Sequence, residues 1–256
     1  MLRDERFETI EVTPITGALG AEIRGVDLLN DDDAVIAEVK RALDEYHVLA
    51  VRDQGLDPTG LHKVARRFGP FSGNPVHTPM EGFDDVVRFV REPDDTGKVI
   101  GEEWHMDLAW LAKPPGITML FGEVVPPVGG DTCFTSLEKV YDSLSPRMIE
   151  LLSGLTGVHS GRGVFAVNAI QKRLPLTANM EAVENTAVEH PVICEHPVTG
   201  RKYVFISGVL THFKGMTEDE SRPIRDFLIA RAIRPEYNCR LRWEPNTLGM
   251  WNNPYV

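Results

Sequence analysis

The sequence predicts a mainly β protein with flanking helices, arranged as a β-sandwich or jelly roll. Two observations favour this class: short strand-like segments recur along most of the chain, and only a few segments have helical spacing. A third observation concerns size, because 256 residues with 42% hydrophobic and 25% charged residues suffice for one well-packed domain. We therefore expect a single domain over residues 1–256.

The strands are predicted where apolar and polar residues alternate, or where a short apolar run lies between turn residues. Three pairs are expected to form hairpins, around the glycine turn at residues 17–20, around His196–Gly200 and around Glu244–Asn246. In chain order, the predicted strands cover residues 9–15, 21–26, 47–51, 86–90, 117–125, 132–135, 189–194, 202–206, 238–243 and 247–251.

The helices are predicted from apolar residues at helical spacing and from capping residues at their starts. Asp57 before Pro58 and Ser145 before Pro146 are typical of helix N-termini, and Thr217 with Glu220 forms a capping-box pattern. In chain order, the predicted helices cover residues 31–46, 57–68, 145–153 and 217–232. Residues 161–186 fit neither period and are long for a connection, so we expect an active-site lid there.

Charge and cysteine content narrow the classes of partner and compartment. Acidic residues outnumber basic ones by 38 to 27, a net charge of −11 that disfavours binding along a nucleic-acid backbone. Cys133, Cys194 and Cys239 lack disulfide or zinc-site spacing, which favours reduced thiols. The sequence shows neither a signal peptide nor an apolar stretch of membrane-spanning length. We expect a soluble cytoplasmic protein with neither nucleic-acid nor membrane partners.

The clearest local motif is His105-Met106-Asp107. In extended chain, residues two apart point to the same face, so this imidazole and this carboxylate can reach one metal ion. A histidine and a carboxylate are two of the three protein ligands that hold non-haem Fe(II) with open coordination positions. The motif alone is weak because the pattern is common by chance, and a hydrogen-bonded structural pair is the alternative interpretation.

Further motifs surround this pair in a definite order. They are residues 15–28, Phe68–Pro70, Trp104–Asp107, Pro126–Thr132, Leu144–Pro146, Arg242–Trp243 and Met250–Asn253. Together they resemble the taurine dioxygenase family of Fe(II)/2-oxoglutarate-dependent dioxygenases, over nearly the whole chain. Residues 91–101 look closer to the aryloxypropionate herbicide dioxygenases of that family. The resemblance implies a double-stranded β-helix (a jelly roll), Fe(II) as the metal and 2-oxoglutarate as cosubstrate.

The resemblance also implies roles for single residues. His105 and Asp107 match the first two metal ligands, and Thr132 matches the threonine that hydrogen-bonds a carboxylate of 2-oxoglutarate. The positions that match the substrate pocket are Asn74, His77, Gly101, Phe165 and Leu210. An ordinary strand threonine, surface residues at Asn74 and His77, and a lid anchor at Phe165 are the alternative interpretations. The taurine enzyme has other residues near Asn74 and His77, which disfavours taurine as the substrate.

The implied reaction is hydroxylation of a C–H bond in a small organic anion, a carboxylate or a sulfonate. O₂ and 2-oxoglutarate are consumed, succinate and CO₂ are released, and a C–O or C–S bond breaks where the hydroxylated carbon carries that heteroatom. A metal- or ligand-binding jelly roll without turnover is the alternative, and a zinc hydrolase is a third reading that no hydrolase motif supports. Because family members often associate, we expect a homo-oligomer.

One further expectation concerns the C-terminal end, which we interpret as truncated. In the family pattern the second metal-binding histidine follows Trp251 at a spacing that places it just beyond Val256. The arginine that binds 2-oxoglutarate lies further on, and the usual aspartate of the motif is Asn252 here. We expect the natural chain to continue past Val256, and a naturally shortened homologue without turnover is the alternative.

Overall fold

In a computed structural model, which describes residues 3–71, 73, 77–96, 101–162 and 186–256, β-sheets form the framework and helices flank them. The strands are β1 (Glu11–Pro14), β2 (Ala21–Arg24), β3 (Val48–Val51), β4 (Ile117–Gly122), β5 (Thr132–Thr135), β6 (Thr156–Ser160), β7 (Ala187–Pro191), β8 (Ile193–Glu195), β9 (Lys202–Val204), β10 (Leu210–Phe213), β11 (Asn238–Leu241) and β12 (Thr247–Asn252). The α-helices are α1 (Asp33–Tyr46), α2 (Pro58–Phe68), α3 (Leu137–Asp142), α4 (Pro146–Ser153) and α5 (Glu218–Ala232).

The largest sheet has the strand order β1-β2-β3-β12-β4. Strands β1 and β2 form the predicted antiparallel hairpin, whereas β2 and β3 run parallel because α1 connects them. Strand β12 lies antiparallel between β3 and β4, with Met250 opposite both Leu49 and Met119. The last strand of the described chain is therefore central in the sheet, next to the strand that follows the His105–Asp107 motif.

The remaining strands form smaller antiparallel sheets. One has the order β10-β6-β7, and two further sheets pair β11 with β5 and β8 with β9. The β8–β9 pair is the hairpin predicted around His196–Gly200, with Ile193 opposite Val204. In the β5–β11 pair, Leu241 lies opposite Thr132.

The predicted hairpin around Glu244–Asn246 is wrong in its pairing, although both of its strands exist. Strand β11 pairs with β5, and β12 pairs with β3 and β4. The burial of β12 explains the difference, because Thr247–Met250 are buried throughout. A strand buried on both faces needs a partner along each edge, and β3 and β4 together provide both.

Two other strand predictions also need correction. Residues 86–90 form no strand, because only Val86 enters the core at 7% exposure while Phe89 and Val90 are 43% and 62% exposed. The single strand predicted at residues 189–194 is divided at the buried Val192 into β7 and β8, which belong to different sheets.

The predicted helices begin close to the expected residues because their capping side chains form the expected bonds. Asp57 Oδ1 accepts from the Gly60 N–H at 2.6 Å, and Thr217 with Glu220 completes a capping box at α5. Helix α1 begins slightly later than expected, since Asp32 accepts its first amides. No helix in the described part of the chain is long and apolar enough to cross a membrane.

The core anchors the loop that carries the candidate metal pair. Helix α1 packs Ile36, Val39 and Leu43 into a cluster with the large sheet. A second cluster includes residues of β9, β10 and the helices α3, α4 and α5, and Met106 and Ala109 belong to it with exposures of 5% and 0%. Because these two residues flank Asp107 and are buried, the loop is fixed on both sides of the carboxylate.

Candidate active site and its metal-ligand pair

His105 and Asp107 lie together in the loop before β4, as the motif predicts. His105 Nε2 is 3.4 Å from Asp107 Oδ1, and the other ring nitrogen, Nδ1, is 2.8 Å from the Glu103 carbonyl oxygen. A carbonyl oxygen only accepts, so Nδ1 carries a proton and the lone pair of the neutral ring is on Nε2. One imidazole nitrogen and one carboxylate oxygen thus face each other at a separation that suits a shared metal ion.

The backbone and side chain of Asp107 are held by residues at the end of β12. Trp251 Nε1 donates to Asp107 Oδ2 at 3.2 Å. Asn253 accepts from the Asp107 N–H at 2.8 Å and donates to the Asp107 carbonyl at 2.9 Å. These contacts leave Oδ1 as the carboxylate oxygen that faces His105.

The two groups favour each other's charged form. Burial raises the pKa of Asp107, but hydrogen bonding and attraction from His105, with smaller effects of Thr118 and Trp251, hold that pKa below its usual value. The hydrogen bond to Asp107 raises the pKa of His105, against the opposing effect of desolvation. A site that stabilises an anionic carboxylate beside a cation-accepting position fits a divalent metal.

Gly101 packs against the edge of the His105 ring that carries Cε1 and Nε2. Its φ of +76° is in the region that favours glycine, and an added Cβ would lie 3.2 Å from His105 Cε1 and 3.8 Å from Nε2. Gly101, predicted from the resemblance to contact substrate, therefore lies beside the candidate metal position.

His77 interacts electrostatically with Asp107. Burial lowers the pKa of His77, while the negative charge of Asp107 acts in the opposite direction. The ring of His77 packs edge-on against Phe89, with 5.0 Å between centroids. His77 is thus within electrostatic range of the carboxylate, although it is far from it in sequence.

Thr132, at the start of β5, is connected to the same central strand. Trp243 Nε1 donates to Thr132 Oγ1 at 2.9 Å, so the hydroxyl proton of Thr132 remains available to a second acceptor. The Trp243 ring lies against Gly249 in β12, two residues before Trp251. Strand β12 therefore supports both Thr132 and Asp107.

Of the other three predicted pocket residues, Leu210 lies within the described residues and Asn74 and Phe165 do not. Leu210, in β10, is 2% exposed and belongs to the same core cluster as Met106. Asn74, Phe165 and most of the predicted lid, residues 163–185, lie outside the described residues.

Sequence reasoning matched Trp251 and Asn253 to a motif but assigned them no role in the site. Their sequence signal was the Met250–Asn253 motif itself, at the end of a buried strand. Elsewhere in the described structure, the potential ligand atoms of His62, Asp84 and Asp85 lie within 4.8 Å of one another. Arg66 is already 3.3 Å from both aspartates, so its positive charge offsets one of their two negative charges.

Comparison with known proteins assigns the family. The family model described as taurine catabolism dioxygenase TauD, TfdA family matches residues 11–256. The chain belongs to this family. This chain is therefore a dioxygenase, as the order of its motifs predicts. The 2-oxoglutarate-dependent dioxygenases of the family use Fe(II) and 2-oxoglutarate.

Several characterised TauD, TfdA relatives match nearly the whole chain. The alkylsulfatase of Acinetobacter baylyi is 28% identical over 96% of this chain and 78% of its own length. The alpha-ketoglutarate-dependent 2,4-dichlorophenoxyacetate dioxygenase of Cupriavidus pinatubonensis is 27% identical over 97% and 91%. A crystal structure of a taurine dioxygenase from Burkholderia xenovorans superposes with a TM-score of 0.78, at 29% identity, over 97% of this chain and 81% of that one.

Proposed function

We propose that this protein hydroxylates a C–H bond of a small organic anion in an Fe(II)- and 2-oxoglutarate-dependent reaction that releases succinate and CO₂. One observation carries the proposal for this site: His105 Nε2 faces Asp107 Oδ1 at 3.4 Å, while Glu103 and Trp251 bind the remaining polar atom of each side chain. A facing nitrogen and oxygen of this kind are the donors expected for non-haem iron.

Each residue then has a defined task. His105 and Asp107 would hold Fe(II), which supplies oxygen activation when 2-oxoglutarate is bound with it. The Thr132 oxygen accepts from Trp243 Nε1, so its hydroxyl would donate a hydrogen bond to a carboxylate of 2-oxoglutarate. Gly101 would keep space beside the imidazole edge, since a side chain there meets the ring.

The substrate side of the site is proposed from the same positions. His77, which packs against Phe89 and is within electrostatic range of Asp107, would contact the substrate, as would Asn74 and Phe165. Leu210 would shape the pocket, and residues 161–186 would cover it. Relatives named for sulfate esters, sulfonates and 2,4-dichlorophenoxyacetate support an anion whose reacting carbon bears a heteroatom, so that hydroxylation leads to C–O or C–S cleavage.

We further infer that the chain is one domain with a double-stranded β-helix at its centre. The family match over residues 11–256 supports one domain. The central position of β12 between β3 and β4, with β5 and β11 paired beside it, supports the β-helix.

The test is succinate formation from 2-oxoglutarate, with Fe(II), ascorbate and O₂, in the presence of an alkyl sulfate, an aryloxyacetate or taurine. His105→Ala and Asp107→Ala are expected to lose activity by at least a hundredfold. His62→Ala is the matched control, because His62 forms a similar pair with Asp85 at 2.7 Å outside the site. That variant should keep wild-type activity.

Two results would contradict the proposal. Equal activity in wild-type protein and His105→Ala would show that the pair takes no part in catalysis. Fe(II) binding that depends on His105, without succinate formation from any of these compounds, would favour a ligand-binding homologue without turnover.

A further inference from the structure

One buried amide, that of Asn253, is bonded to the backbone on both sides of the Asp107 side chain. Its oxygen accepts from the Asp107 N–H at 2.8 Å, and its nitrogen donates to the Asp107 carbonyl at 2.9 Å. The same nitrogen donates to the Pro115 carbonyl at 3.0 Å. Asn253 is 1% exposed, so water does not compete for these bonds.

The backbone directly after Asp107 adopts an unusual conformation. Leu108 has φ of +51°, a region that non-glycine residues rarely occupy and that persists only where surrounding contacts enforce it. The Asp107 carbonyl that Asn253 binds belongs to the peptide unit joining Asp107 to Leu108. The amide therefore holds the turn that directs the Asp107 side chain.

The side chain of Asp107 has its own partner on the same segment. Trp251 Nε1 donates to Asp107 Oδ2 at 3.2 Å, and the other carboxylate oxygen, Oδ1, faces His105 Nε2. Asn252, between the two, is buried as well but points elsewhere, since its amide donates to the Leu43 carbonyl at 3.0 Å. The three consecutive residues thus include two that bind Asp107 and one that does not.

We propose that Asn253 is a positioning residue, which fixes the Asp107 backbone so that its carboxylate and His105 bind one metal ion. Asn253 does not touch the ion, and its effect acts through Asp107. This inference rests on the proposed function, because it assumes that His105 and Asp107 are metal ligands.

The test is a Co(II) titration of the purified protein under anaerobic conditions, followed by visible absorption, with Co(II) as the spectroscopic substitute for Fe(II). Asn253→Ala is expected to bind Co(II) about tenfold more weakly than wild type, the usual effect of losing a partner that orients a metal ligand. Asn252→Ala is the matched control, because it removes an equally buried amide one residue away. It should bind Co(II) within about twofold of wild type, although both variants should unfold at lower temperature than wild type without metal.

A second pair of variants covers the case in which Asn253→Ala does not fold. Asn253→Asp keeps the acceptor for the Asp107 N–H but loses both donated bonds, and Asn252→Asp adds the same charge next to it. Asn253→Asp should bind Co(II) at least several-fold more weakly than Asn252→Asp.

The outcomes separate the two proposals. Equal Co(II) affinity within each pair, in a wild type that binds through His105, would overturn the positioning role alone. A wild type that binds no Co(II), or binds it as well after His105→Ala, would overturn the proposed function and this inference with it.

Discussion

At the scale of single residues, neighbouring groups decide which polar atoms of His105 and Asp107 are left to face each other. His105 Nδ1 is hydrogen-bonded to the Glu103 carbonyl, and Asp107 Oδ2 accepts from Trp251 Nε1. The remaining atoms, His105 Nε2 and Asp107 Oδ1, face each other. Gly101 adds a steric condition, because it lies against the ring edge that carries Nε2. The metal binding proposed for this pair would thus depend on neighbouring residues that are not themselves proposed as ligands.

The contact at Gly101 leads to a prediction about metal affinity. Gly101→Ala should lower Co(II) or Fe(II) affinity about tenfold, because its Cβ at 3.2 Å from His105 Cε1 would press on the ring. It should also cost about 1 kcal/mol of stability, since alanine is strained at φ of +76°. Metal titration and urea unfolding measure the two effects.

Gly82→Ala is the control for backbone strain, because Gly82 has φ of +85° and no atom within 4 Å of an added Cβ. This variant should show the loss of stability without the loss of metal affinity. Equal metal affinity in all three proteins would contradict the steric role of Gly101.

At the scale of elements, strand β12 joins the candidate metal pair to Thr132. Its Trp251 reaches Asp107, and its Gly249 receives the Trp243 ring whose indole N–H binds Thr132. Between those two contacts, the backbone of β12 pairs with both β3 and β4. One buried strand therefore sets the distance between the proposed metal site and the proposed 2-oxoglutarate contact.

Gly249→Ala tests this coupling. The added Cβ would lie 2.4 Å from Trp243 Cη2, so the indole must move away from its position beside Thr132. We expect a loss of about 1–3 kcal/mol in stability from overpacking, and weaker 2-oxoglutarate binding. Calorimetric titration with 2-oxoglutarate and chemical unfolding measure these changes.

Gly116→Ala provides the comparison, since no atom lies within 4 Å of an added Cβ at Gly116. Unchanged 2-oxoglutarate binding in Gly249→Ala, with the expected loss of stability, would show that Trp243 does not orient Thr132.

At the scale of the whole molecule, the core contains several buried histidines that affect stability at acid pH. His159 is fully buried between β7 and β10, where its Nδ1 is 3.0 Å from Ser207 Oγ and its ring packs edge-on against His190. Desolvation, with repulsion from His190, lowers the pKa of His159 to about 3. Protonation of this ring in the folded protein is therefore strongly unfavourable.

The lowered pKa predicts how stability depends on pH. The unfolded chain binds a proton at His159 near the ordinary pKa of 6.5, whereas the folded protein does so only near a pKa of about 3. The contribution of His159 to stability is therefore complete above pH 6.5 and is lost as the pH falls toward 3. The loss should be on the order of 2 kcal/mol by pH 5.

His159→Phe tests this prediction through the free energy of unfolding, measured between pH 7 and pH 5. The variant should lose less stability than wild type over this range, whatever its stability at pH 7. Parallel profiles for wild type and His159→Phe would contradict the assignment.

The local signals in the sequence were sufficient for most elements but not for their partners. Proline, aspartate, serine and threonine at helix starts predicted α2, α4 and α5, because capping bonds form between residues close in sequence. The strands β6 and β10 were not predicted, and neither was α3, which at six residues is too short to show a helical period. The prediction that β11 pairs with β12 is wrong, because strands that are neighbours in the sequence are not always neighbours in a sheet.

By itself, the sequence determined the mainly β class with flanking helices, the family and the His105–Asp107 pair, because these depend on composition, motif order and a spacing of two residues. Only the tertiary structure decided that β12 is a central strand and that Asn253, Trp251 and Gly101 set the surroundings of that pair. The physical reason is range: Asn253 and Asp107 are 146 residues apart, and no local pattern records a bond between them. Such contacts form only when the strands that carry them pack together.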